Sequence, residues 1–117
     1  MREALDTFFS AWGETDADRR RELISGVLAP AFSYCDPRTP GRITTADALL
    51  DYVGAFSANA PGWTASVVRA DGHHGYTRAL VAFGDGEMAQ HGTYFGEADE
   101  SGNIVLLTGF VGTGVAE

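Results

Sequence analysis

The chain has 117 residues and a net charge of −8, with 44% hydrophobic and 21% charged residues, which fits one globular domain, 1–117, with its own core. So acidic a chain lacks the clustered cations that phosphate backbones require, which excludes nucleic acid as a partner. All eight basic side chains are arginines, and without lysine neither Schiff-base chemistry nor a Walker-type phosphate loop is open to it.

Leu5, Phe8, Phe9 and Trp12 lie at i, i+3, i+4 and i+7, which predicts an amphipathic helix over 2–12 that Gly13 ends. Thr15 with Asp18 resembles a capping box. The second helix it starts turns Leu23, Ile24, Val27 and Leu28 inward and closes at Pro30. Its Arg19-Arg20-Arg21 run is flanked by acids and reads as a solvated helix surface. Ala31–Asp36 is a predicted short strand with Phe32, Tyr34 and Asp36 on one face. After a Pro/Gly loop over 37–42, Thr44 caps a third helix with Leu49, Leu50, Val53 and Phe56 inward, broken at Ala60-Pro61-Gly62. Strands near 63–70, 74–83, 87–98 and 103–112 follow, with Gly84-Asp85-Gly86 and Asp99–Asn103 as hairpin turns. This order predicts an α+β domain, with helices on one face of a strongly curved antiparallel sheet.

No apolar run approaches the ~18 residues of a membrane helix, so no membrane partner is expected. The acidic N-terminus lacks the apolar stretch of a secretory signal. With the single Cys35, this predicts a cytoplasmic protein.

The polar residues set among these apolar runs form the candidate site. Asp36 is the candidate general base or acid, because an apolar setting suits a carboxylate to proton transfer near neutral pH. The competing reading is that Asp36-Pro37 simply starts a turn. Tyr34 is the candidate hydrogen-bond donor beside it. His73 and His74 are strand neighbours and point to opposite faces, so at most one enters a pocket. His74, in alternation with Arg78, stands as the catalytic candidate and His73 as a lining one. Arg78 sits mid-strand among apolar neighbours and needs a partner, a substrate carboxylate or an acid such as Asp36 or Glu97, unless it lies at a dimer interface, where Arg is enriched. The candidate lining is completed by Trp12, Phe32, Phe56, Val81, Phe83, His91, Tyr94 and Phe110, which suits a small hydrophobic ligand with one or two oxygens. A zinc site from His73, His74 and His91 is disfavoured by the diverging pair and the lack of ligand spacing. Neither metal nor cofactor is expected.

Phe8-Phe9 with Trp12, Thr15-Asp16 followed by Arg19-Arg20, Tyr34-Cys35-Asp36-Pro37 and Pro61-Gly62 form a recognisable series. His73-His74-Gly75 with Arg78, Gly92 to Glu97 followed by Gly102, and Gly109-Phe110 continue it. Together they resemble the SnoaL-like branch of the nuclear transport factor 2-like superfamily, within it bacterial proteins of unassigned function. The resemblance spans nearly all of the chain. It implies a cone with three helices from the N-terminal half on the concave face of the sheet and a mouth among the helices. It also implies a homodimer through the outer sheet face. SnoaL-type enzymes use a pocket Asp two residues after a glycine matching Gly92, where this chain has Tyr94. Relatives tend to carry Trp where this chain has Val81, which implies a roomier or reshaped pocket. The expected function is small-molecule binding, with cofactor-independent acid/base chemistry of the isomerase, cyclase, dehydratase or hydrolase type. The alternative is a non-catalytic dimeric ligand-binding or protein-interaction module.

Overall fold

A computed structural model describes residues 1–87 and 89–115. The elements are α1 (Arg2–Ser10), a 3-10 turn over Ala11–Gly13, α2 (Ala17–Ser25), β1 (Leu28–Cys35), α3 (Ala46–Asn59), β2 (Thr64–His73), β3 (Tyr76–Gly84), β4 (Ala89–Ala98) and β5 (Ile104–Val111). Five strands form one sheet in the order β1-β5-β4-β3-β2. Tight connections make β2 to β5 an antiparallel meander, whereas β1 pairs with β5 in parallel. The sheet is therefore mixed, not wholly antiparallel, because only a hairpin obliges neighbouring strands to reverse. The connection from β1 carries α3 and reaches the far edge of the sheet, at β2.

One face of this curved sheet meets the helices. Ala65, Ala79, Val81, Tyr94, Leu107 and Tyr34 pack there against Leu5, Phe8, Phe9, Trp12, Leu49 and Val53. Alternate strand residues turn to the other face, where Tyr76, Phe95 and Phe110 remain 45%, 42% and 59% exposed. Among the described residues no helix is long and apolar enough to cross a membrane.

Several boundaries differ from the sequence expectation. Asp16, not Thr15, caps α2 by accepting the Asp18 and Arg19 amides, and Thr45, not Thr44, caps α3. Pro30 does not close a helix. It lies within β1, an edge strand whose register slips between Leu28 and Ser33, a setting that tolerates a missing N–H. The β2–β3 hairpin turns at His74-Gly75, where both residues have positive φ (52° and 83°) and His73 pairs with Tyr76. Two consecutive left-handed residues match the right-handed strand twist, and His tolerates that region better than most side chains. The predicted strand over 74–83 thus begins at Tyr76. Met88, inside the predicted 87–98 strand, lies outside the described residues.

Candidate functional site

At the end of β1 the chain places Asp36 beneath the open end of the sheet, and four donors converge on its carboxylate. The Tyr34 hydroxyl donates to Oδ2 at 2.6 Å, and the Tyr52 hydroxyl donates to both oxygens at 2.7 and 2.8 Å. The backbone amides of Arg38 and Thr39 donate to Oδ1 at 2.8 and 3.1 Å. This combines both sequence readings, since Asp36 starts a turn and also ties two phenols together. The turn is fixed further by reciprocal backbone hydrogen bonds between Tyr34 and Ile43 at 2.9 and 2.7 Å.

Tyr34 and Tyr94 hydroxyls lie 3.1 Å apart. Because the only Tyr34 proton goes to Asp36, Tyr94 must be the donor to Tyr34. The network therefore runs in one direction: Tyr94 to Tyr34 to Asp36, met from the other side by Tyr52. Tyr34 and Tyr94 are 1% and 4% exposed. The Tyr94 ring lies over Gly109, where a Cβ would come within 2.6 Å of two ring carbons, so only glycine leaves it this place. Burial is the main cause that pushes all three phenols upward from their ordinary value. Asp36 adds to it as a hydrogen-bonding neighbour of Tyr34 and Tyr52 and as a nearby negative charge for Tyr94. All three remain protonated at neutral pH.

The cone interior is not hollow. Phe8, Phe9, Trp12, Tyr34, Phe83 and Tyr94 pack against one another in it, edge to face or tilted except for the stacked Tyr34–Tyr94 pair, with ring centroids 5.0 to 6.4 Å apart in the contacting pairs. Within this packing the Trp12 Nε1 proton is buried with no acceptor among the described residues. Open space remains at the mouth, in a cavity of about 290 Å³ lined by Arg38, Tyr52, Phe56, Asn59, Trp63 and Gln90, with Ala55 and Ala60.

Of the sequence candidates, the structure brings Asp36, Tyr34 and Tyr94 together, with Trp12, Phe56 and Phe83 around them. Val81 is fully buried in the core and Phe32 packs on its edge. The other candidates lie elsewhere. His73 and His74 are exposed at the β2–β3 hairpin, the end of the sheet away from the mouth. His74 is thus a turn residue and not a partner of Asp36. Arg78 lies on the outer face and forms a bidentate pair with Asp71, directly opposite on β2, at 2.8 and 2.9 Å. That hydrogen-bonded guanidinium also holds the Asp71 carboxyl below its usual range. The pair borders a groove of about 550 Å³ that reaches Thr113–Val115 on the outer side. His91 pairs with Ala82 and alternates with inward Gly92 and Tyr94, so it too faces outward, as does Phe110 opposite Thr93. Among the described residues no three His, Cys, Asp or Glu side chains converge on a metal position.

Of the residues lining the mouth only Phe56 was a sequence candidate, and the two that matter most among the others are Tyr52 and Arg38. Tyr52 follows Leu49 by three residues and precedes Phe56 by four, so its place on the inner stripe of α3 was open to the same count. Arg38 gave no such signal, because only the folded turn aims it at the mouth.

The fold is shared with solved bacterial structures. A candidate isomerase of the SnoaL-like family from Agrobacterium tumefaciens superposes with a TM-score of 0.83 at 24% identity, covering 95% of this chain and 96% of that one. This chain has the SnoaL-like, nuclear transport factor 2-like fold. A candidate ketosteroid isomerase from Kribbella flavida follows with a TM-score of 0.69 at 22% identity, over 99% of this chain and 80% of that one. A protein of ketosteroid isomerase-like fold from Catenulispora acidiphila, in complex with trimethylamine, has a TM-score of 0.74 at 12% identity, over 92% and 83%. No protein-family model and no curated protein sequence matches the chain. At these identities the likeness describes the SnoaL-like scaffold, and chemistry has to be argued from the side chains.

Proposed function

We propose that this SnoaL-like domain binds a small apolar, oxygen-bearing molecule at the cone mouth and moves a proton on it, as an isomerase does. The observation that carries this reading is the position of Tyr52. Its ring lines the mouth, and its only proton already points at Asp36. A ligand therefore meets a phenol oxygen with free lone pairs. When a proton leaves a carbon beside a ligand carbonyl for the Tyr52 oxygen, the Tyr52 proton passes to Asp36. The ligand becomes an enolate and the carboxylate a carboxylic acid. The same path run backward onto another carbon of the enolate completes a double-bond shift with nothing gained or lost. Two neighbours on this fold that are named as candidate isomerases, from Agrobacterium and Kribbella, support the reaction class.

A second reading, binding without turnover, is favoured by one observation: Asp36 already accepts from four donors and has little capacity left for a substrate proton. Deuterium exchange into benzylacetone separates the two. Wild type is expected to speed exchange at the carbons beside the carbonyl, and Tyr52→Phe to lose that acceleration while binding the ketone about as well, since a ketone has no proton to donate to the Tyr52 oxygen. Wild type that binds the ketone without exchanging it would remove the proton transfer and leave the binding module.

The uncovered sheet face is proposed to pair with a second copy of this chain in the cytoplasm. Tyr76 stacks on Phe95 there, and the Arg78–Asp71 pair offers both signs of charge to a two-fold mate. Light scattering is expected to give twice the 12.4 kDa chain mass, and Phe95→Glu to give the single chain. A monomeric wild type would contradict the pairing.

A further inference from the structure

We infer that the mouth selects a monoanionic ligand, a carboxylate on an apolar or aromatic body, and that Arg38 is the residue that binds the anion. This rests on the mouth being the binding site and names the class of molecule it takes. In a chain with twice as many acids as arginines, a guanidinium is expected to be paired. Arg2, Arg19, Arg21 and Arg78 each hold an acidic side chain, and Arg20 holds the Glu14 carbonyl. The side chains of Arg38, Arg42 and Arg69 have no acceptor among the described residues, and of these three only Arg38 lines the 290 Å³ mouth.

The reason it stays open is local. Asp36 is two residues away, but its oxygens already take the Tyr34 and Tyr52 hydroxyls and the Arg38 and Thr39 amides. The carboxylate pins the backbone of Arg38 and leaves its side chain free. The positive charge of Arg38 reaches Tyr52 and Tyr94, lowering both phenols against the larger effect of burial. Phe56, Trp63, Ala55 and Ala60 give the rest of the cavity an apolar wall, and the carboxamides of Asn59 and Gln90 add neutral donors. One guanidinium facing the negative Asp36 fits a single negative charge, since a dianion would meet that carboxylate unfavourably. A carboxylate also matches the guanidinium fork, with two parallel hydrogen bonds.

Calorimetric titration with phenylbutyrate and phenylbutyramide, molecules of one shape that differ in charge, tests this. Wild type is expected to prefer the acid by roughly tenfold or more. Arg38→Met is expected to bring that ratio to about one, while the amide keeps its affinity. Arg38→Lys should retain part of the preference, since it keeps the charge and loses the fork. Equal binding of acid and amide by wild type, or a preference that survives Arg38→Met, would overturn the anion assignment and leave the mouth as a neutral site. Binding of neither probe would remove both the assignment and the mouth reading beneath it. Arg38 is exposed in its turn, and unchanged thermal unfolding of the variants confirms that the fold is intact.

Discussion

Asp36→Ala is expected to lower the stability of the domain by about 2–4 kcal/mol, the largest loss for any single change outside the hydrophobic core. The substitution removes the acceptor for two phenols and two backbone amides at once. Tyr34 cannot turn to water, because it is 1% exposed, and the proton it receives from Tyr94 fixes its orientation. Its hydroxyl is left as a buried donor without an acceptor, which costs about 1–3 kcal/mol. The Arg38 and Thr39 amides lie nearer the surface and rehydrate, so they add less. Asp36→Asn keeps one acceptor oxygen and should lose about half as much. Urea unfolding measures both, and a loss below about 0.5 kcal/mol for Asp36→Ala would mean that the carboxylate is merely hydrated at a bend.

Alkaline pH should unfold the protein through the same residues. The phenols of Tyr34, Tyr52 and Tyr94 are all raised in the folded state, chiefly by burial. The unfolded chain releases these protons near pH ~10 and the native one holds them to higher pH. Above that value the native state therefore binds more protons than the unfolded state, and the free energy of unfolding falls as pH rises. Stability from this source is fully present below pH ~10. The slope is about 1.4 kcal/mol per pH unit for each of the buried pair, Tyr34 and Tyr94, and half-exposed Tyr52, whose shift water screens, adds to it over a narrower pH span. Following the phenolate absorbance and the far-ultraviolet dichroism together tests this. Three of the four tyrosines should ionise only as the fold is lost. Full ionisation of all four in a protein that keeps native dichroism would contradict it.

Most of the architecture was legible because its signals are local. The i, i+3, i+4 spacing of Leu5, Phe8, Phe9 and Trp12 dictates a buried helix face whatever lies opposite, and those side chains are buried. Residue alternation in β3 and β4 likewise separated inward Val81 and Tyr94 from outward Arg78 and His91, without saying which set was which. That choice depends on where the helices pack, and the wrong choice sent Arg78, His91 and Phe110 to a pocket they do not line. The histidine pair misled for another reason. Gly72-His73-His74-Gly75 looks like strand-borne chemistry, but Gly75 supplies the positive φ of a tight hairpin, and this makes His74 a turn residue. The parallel pairing of β1 left no trace in the sequence, because the partner strand is some 70 residues away. The link between Asp36 and Tyr34 was visible as a shared strand face. The contribution of Tyr52 depended on α3 crossing the mouth at the right height, which no periodicity encodes.

The account stands on the Tyr52 hydroxyl being held between Asp36 and the ligand space, and proton NMR of the phenolic hydroxyls tests that most directly. Short hydrogen bonds to a carboxylate should give slowly exchanging, strongly downfield hydroxyl resonances for Tyr34 and Tyr52, both absent in Asp36→Ala. Adding benzylacetone should move the Tyr52 resonance and leave that of Tyr34 nearly in place. Downfield signals that are missing in the wild type, or a bound ketone that leaves the Tyr52 signal unmoved, would contradict the account.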